Sequence, residues 1–429
     1  MAFEIASASV ALPTGTGTKD FTVAGFGTPQ AGKAAAIIIV SKGSNDSYGN
    51  AAMLCVGVTD GTRNFCDAIV AQNGVSPTNT NRRYMTDKCV AALTSTGGID
   101  DEAHFDSWIT DGIRLNFTSN AGNGYTYKVY LFKGDAASFY AGEFTPSATV
   151  DTTVDVTDPG FQLDNLFVVS VDPLNLDIAD ADARMSIAFV DHTDSVITQC
   201  CSATYTDDND ATSDARNYVS TAHAARFISG GQAVEITAIL STGFTAATRL
   251  AGVSSLLRLH YLAIKYGDAT KHWVGVIDTP TATGNASITA PGFKPQFVMQ
   301  APSFVDSVDT TVTTNATGAG SFGIGGFTET VSGGHVYTDQ DAAATSNAGS
   351  YPTASAARMN QGNATLSHVA SFVSFDPTGW TLNYTTTNGT ARKWPAWAIE
   401  EAAAAAAGTF ADANAYDGLL IEPPAVAAY

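Results

Sequence analysis

This sequence is short of charge. Only 14% of its 429 residues are Asp, Glu, Lys or Arg, against about 25% in a typical soluble domain. The polar surface must therefore come from Thr, Ser, Asn and Gly, a mixture that favours strands and turns over long helices. Positive charge is the scarcer sign: 21 Lys and Arg against 41 Asp and Glu leave a formal charge of -20. A field of that sign repels phosphate backbones and anionic lipid, so neither nucleic acid nor a membrane is expected as a partner. Such a surface keeps an exposed assembly soluble.

Long apolar runs are missing too. None reaches the ~18 residues a bilayer span requires. Met1-Ala2-Phe3-Glu4-Ile5 lacks the basic start and apolar core of a signal peptide, so synthesis in a cytoplasm is expected; if the protein ends outside the cell, lysis or assembly must carry it there. Cysteine is sparse and odd in number: Cys55, Cys66, Cys89, Cys200 and Cys201, with no C-x-x-C pair. All five read as free thiols packed in cores, with a Cys55–Cys66 cross-strand bridge as the alternative. The chain carries no P-loop, dinucleotide, metal-hydrolase or G-x-S-x-G pattern.

What is present is repetition. Hydrophobic residues make up 45% of the chain, enough for packed cores. At about 100–200 residues per domain the length suits two to four domains. Four landmarks recur in order. A Thr/Gly-rich strand ends in Gly25-Phe26, Gly160-Phe161 and Gly292-Phe293, 135 and 132 residues apart, with each Phe expected as an equivalent buried core residue. Apolar runs follow at 36–40, 166–171 and 297–300. Small-residue strands follow at 53–60, 185–191 and, more weakly, 322–328. A turn beside an aromatic precedes each closing strand, at 105–112, 239–244 and 375–380; the closing strands lie at 127–136, 259–269 and 392–399. Short strands with regular turn signals predict an all-β chain of three tandem β-sandwich, jelly-roll-like repeats, 1–144, 145–279 and 280–403. An Ala-rich helical stretch from Ile399 to Ala407 and a C-terminal arm, 404–429, are expected beyond them.

Candidate chemistry is thin. Seven histidines form no H-x-H or H-x-x-x-H pair. Two acidic groups, Asp177, Asp180 and Asp182, then Asp207, Asp208 and Asp210 with Asp214, are oxygen-rich loops of the kind that can hold Ca²⁺, without the Gly and bidentate Glu of a calcium loop; solvated loops are the plainer reading, and no other cofactor is expected. Asp60 and Asp191 match between repeats, but Thr328 stands near that position in the third. No acid, base or nucleophile recurs in all three, so catalysis is not expected. Trp108, Trp273, Trp380, Trp394 and Trp397 read as core or junction residues. In the arm, Phe410, Tyr416, Leu419, Leu420 and Ile421 are apolar side chains suited to burial against a partner.

The opening, Ala11-Leu12-Pro13-Thr14-Gly15-Thr16-Gly17-Thr18 through Gly25-Phe26-Gly27-Thr28-Pro29, resembles structural proteins of tailed bacteriophages. Pro291-Gly292-Phe293-Lys294-Pro295-Gln296-Phe297-Val298 is similar to repeated β units of phage particle proteins. The resemblance implies a virion structural component without distinguishing head from tail; the function expected is a surface or capsid-decoration component that binds other virion proteins. A homo-oligomer is expected, and a tail-associated protein that binds host glycan is the alternative.

Overall fold

Ala34–Lys42 is apolar at nearly every position, which a strand tolerates only when both its faces are covered. Both are. Ala36, Ile38 and Val40 enter one core, and Ala35, Ile37 and Ile39 enter another. Leu166 and Val168 part from Phe167 and Val169 in the same way, as Val298 does from Phe297 and Met299. These both-sided strands organise the molecule.

The computed structural model describes residues 3–11, 15–44, 46–122, 124–228, 231–250, 257–267, 270–311, 320–361 and 365–400. Among them there is no helix. The first unit contains β1 (Glu4–Ala11), β2 (Gly17–Thr22), β3 (Ala34–Lys42), β4 (Gly49–Asn50), β5 (Ala52–Thr59), β6 (Asn64–Ala71), β7 (Thr80–Met85), β8 (Val90–Leu93), β9 (Ile99–Ile109), β10 (Gly112–Asn120) and β11 (Tyr125–Lys133). The second contains β12 (Ser138–Phe144), β13 (Thr153–Val156), β14 (Asn165–Ser170), β15 (Ala179–Ala181), β16 (Ala183–Thr193), β17 (Val196–Thr206), β18 (Ala215–Ser220), β19 (Ala225–Arg226), β20 (Ala233–Leu240), β21 (Gly243–Leu250) and β22 (Leu259–Lys265). The third contains β23 (His272–Asp278), β24 (Gly284–Ile288), β25 (Pro295–Gln300), β26 (Phe322–Phe327), β27 (Ser332–Thr338), β28 (Gly349–Thr353), β29 (Ala357–Gln361), β30 (Thr365–Asp376), β31 (Gly379–Thr386) and β32 (Lys393–Glu400).

Each unit pairs its strands in the same order. The large sheets run β1-β11-β3-β5-β6-β7, β12-β22-β14-β16-β17-β18 and β23-β32-β25-β26-β27-β28. The small sheets run β2-β10-β9-β8, β13-β21-β20-β19 and β24-β31-β30-β29. All pairings within these sheets are antiparallel. Within a unit the two sheets enclose a sandwich core. The other faces of the three large sheets meet in one central core built from Ile37, Tyr130, Phe167, Leu262, Phe297 and Trp397 among others. The small sheets form the outside: β2 and β24 are largely exposed.

Several expectations change. Strand pairing places β12 and β23 with the units that follow them, so the divisions lie in 134–137 and 266–271, ahead of 144 and 279. Ile399 and Glu400, where a helix was expected to begin, sit in β32; the rest of that stretch and the arm lie outside the described residues. Phe26 and Phe293 are buried, but Phe161 is only partly so, at the rim of its core. The glycine before each has φ of 85°, 73° and 75°, the left-handed region where a side chain is disfavoured. The five cysteines are free and buried. Cys55 pairs across the ladder with Ala68, and Cys66 with Gly57, so no bridge forms. Trp380, Trp394 and Trp397 are buried, while Trp108 and Trp273 are partly buried against their cores.

Candidate functional site at the unit junctions

The polar residues singled out in the sequence gather where units meet, and the junctions run in a cycle. Asp46, Asp177 and Asp309 lie in the loops that follow β3, β14 and β25, at φ of 59°, 57° and 58°. Aspartate tolerates this left-handed conformation better than most residues. Each of the three donates its backbone N–H to an edge-strand carbonyl of another unit: Asp46 to Pro352 (2.7 Å), Asp177 to Tyr84 (2.9 Å) and Asp309 to Val219 (2.7 Å). Each carboxylate accepts from a hydroxyl beside that carbonyl: Thr353 (2.8 Å), Thr86 (3.3 Å) and Ser220 (2.7 Å). The first unit thus clasps the third, the third the second, and the second the first. Two of these loops add short strands to their neighbours, β4 on β28 and β15 on β7.

A second contact runs the opposite way round the cycle. The turn between β5 and β6 faces β12. Asp60 accepts from the amides of Thr62 and Arg63 and, across the junction, from that of Ala141 (3.1 Å). Arg63 pairs with Asp60 and lies 3.5 Å over the Tyr140 ring, closing this junction. In the next, Asp191 bonds His272 of β23. In the last, the bonds of Thr328 stay within its own turn, to Thr330 and Val331. By register, Ala6 and Val331 stand where Tyr140 and Arg63 stand in the closed junction. The loss of two large side chains leaves a groove of about 320 Å³ lined by Glu4–Ser7, Val23–Phe26, Pro295, Gln296 and Thr328–Thr330. A similar groove of about 350 Å³ lies beside His192, Asp194, Lys271, His272 and Phe293.

Deeper in each junction one position carries three different chemistries. His260 of β22 has Nδ1 2.7 Å from Asp67 of β6, both fully buried, with the imidazole stacked 3.7 Å from the Tyr84 ring. Burial raises the Asp67 carboxyl, opposed by His260. At the matching place Lys128 of β11 donates to the Ser332 carbonyl (3.3 Å) near His335, whose Nδ1 lies 2.5 Å from Ser41 Oγ. Burial pulls the Lys128 ammonium down to about 8; burial first, then Lys128, holds His335 well below its ordinary range. The third junction sets Pro395 at the register position of Lys128 and His260.

At one end the loops after β6, β17 and β27 interlock. Thr78 and Asn209–Asp210 exchange backbone bonds, as do Ser213 with Ala342–Ala343 and Gly74–Val75 with Ser346. Burial, partly offset by the Asp214 amide and reinforced by Asp210, pushes the Asp207 carboxyl up to about 7. Burial, partly offset by the Gln340 amide and reinforced by Asp207, does the same for Asp339.

The two acidic groups proposed for Ca²⁺ do come together: the Asp208 amide donates to Asp182 (3.0 Å). Apart from Asp210, their carboxylates are engaged by protein donors. Asp180 accepts from Leu174 and Asn175, Asp177 from Thr86, Asp208 from Thr80, and Asp182 pairs with Arg184. Asp210 joins the loop interlock through its backbone. Among the described residues no three acids, histidines or cysteines converge on a metal position. Phe410, Tyr416, Leu419, Leu420 and Ile421 lie outside the described residues. Sequence reasoning missed the clasp shared by Asp46 and Asp309, and the Asp67–His260 pair. Their neighbours in sequence differ in each unit, and only the Asp preference for left-handed turns hinted at the clasp. Chemically, the junctions hold three sandwiches in a closed ring and leave two grooves. No family profile matches the chain, and no curated protein or solved structure is significantly similar to it.

Proposed function

We propose that the protein is a non-enzymatic structural component of a bacteriophage particle, sitting on its surface and binding other virion proteins. The observation that carries this is the ring: one chain presents three units of one strand order, each joined to both others by the same clasp. Closed protein lattices have symmetry axes, and a body with three similar faces can make three similar contacts at a threefold position. Contacts made together reinforce one another without any being strong alone. The charge of -20 suits an outer position away from packaged nucleic acid. The polar residues of the junctions are occupied in holding units together, a use that needs no turnover. The test is density from particles of the phage that encodes the chain, compared with particles lacking it. The expected difference is a three-lobed feature on a threefold or local threefold axis. A feature confined to the tail tip, with binding of host glycan by the purified protein, would favour the receptor-binding reading instead; absence from particles would overturn both.

A further inference from the structure

The three turn junctions are one arrangement in different states of closure. Between the first and second units, Arg63 on Tyr140 fills the space. Between the third and first, Val331 and Ala6 leave it open, with Ile5, Val23, Phe26 and Pro295 as its apolar lining. The last described residue stands at its mouth. Gln296, part of the lining, donates from Nε2 to the Glu400 carbonyl (2.8 Å) and to the Phe3 carbonyl (3.3 Å). Residues 401–429 continue from that carbonyl, and they contain Phe410, Tyr416, Leu419, Leu420 and Ile421 but no Lys or Arg.

We infer that residues 401–429 of the same chain dock their apolar side chains in the groove between the first and third units, supplying the bulk that Arg63 and Tyr140 supply elsewhere. The ten residues from Glu400 to Phe410 can reach across about 33 Å when extended. A tether of this length gives a millimolar-range effective concentration at the groove. The lining's carboxylates do not repel the acidic segment outright, since Glu4 is paired with Lys133 and Glu329 with Lys294. The second groove is the poorer host: only Pro291 and Phe293 are apolar there, among His192, Asp194, Lys271 and His272.

Hydrogen exchange read by mass spectrometry tests this on the full chain, diluted until it is monomeric. In the triple variant L419S/L420S/I421S, amides of Ile5–Ser7, Val23–Phe26 and Thr328–Thr330 should exchange about tenfold faster or more, while those of His192–Asp194 stay unchanged. The full-length variant Ala6→Tyr, which fills the groove from within, should speed exchange in 409–422 and leave the groove walls protected. Unchanged exchange in both variants overturns the inference. So does a change confined to His192–Asp194 and Lys271–His272, which would place the segment in the other groove. Protection of the groove that disappears on dilution would assign it to a second copy and overturn docking within one chain.

Discussion

Asp46, Asp177 and Asp309 each do two jobs with one residue. The left-handed backbone aims the amide at a neighbouring strand, and the carboxylate then meets the hydroxyl beside it. The two contributions separate by substitution. Asp177→Gly loses the bonds to Thr86 while keeping the backbone relaxed; Asp177→Ala also bears about 1–2 kcal/mol of left-handed strain. Urea unfolding should therefore rank wild type above Gly and Gly above Ala. The interlocked loops predict a pH effect. The Asp339 carboxyl titrates at about 7 in the folded protein against 3.8 ordinarily. Between those values the folded state holds a proton that the unfolded state has released, so stability from this group is full below 3.8 and falls as pH rises to 7. Asp339→Asn should gain stability relative to wild type as pH is raised from 4 to 7, measured by denaturant midpoints. A gap independent of pH would mean that the carboxyl is ionised throughout. None of this was legible in the sequence, because the flanks of the three aspartates differ and burial of Asp339 depends on loops from other units.

Strands were the legible level. The runs that follow each Gly-Phe pair are apolar without alternation because a large-sheet strand has a core on both sides. The turns read beside aromatics are the β9–β10, β20–β21 and β30–β31 hairpins. Each ends in a glycine, Gly112, Gly243 or Gly379, pressed against the carbonyl of Phe21, Val156 or Ile288. A methyl group there collides with backbone, so Gly243→Ala should cost at least about 1–3 kcal/mol of stability in thermal melts. Its counterparts at 112 and 379 should behave alike. A neutral Gly243→Ala would show that β21 can shift away from β13 at no cost. Unit boundaries were less legible. β12 and β23 lie just ahead of Thr145-Pro146 and Thr279-Pro280, which mark the next turn rather than the start of a unit.

For the molecule as a whole, the central core decides how it unfolds. Phe167, Val169, Met185, Ile187, Phe189, Leu262 and Ile264 of the second unit are buried by neighbours as well as by their own sheet. A chain of residues 138–267 alone would expose this face, an apolar area larger than a stable monomer usually shows. It should associate or fail to fold, as sedimentation and circular dichroism would reveal, whereas the full chain should melt in one calorimetric transition. Three separate transitions would mean that the shared core contributes little. Closure of the ring was hidden in the sequence because period-two patterning says that a strand has two buried faces, not what covers them.

One contact bears on how such a chain can be cut. The carbonyls of Phe3 and Glu400 share the same donor, the Gln296 amide. The two ends of the described fold are thus neighbours, while the 134–137 and 266–271 segments are merely the other two seams of one circle. Which unit is read first is then a matter of where the circle is opened. A circular permutant that starts at Ala137, joins Glu400 to Phe3 through a short Gly-Ser linker and finishes at Gly134 should fold to the same ring, with a melting curve close to that of a native-order chain ending at Glu400.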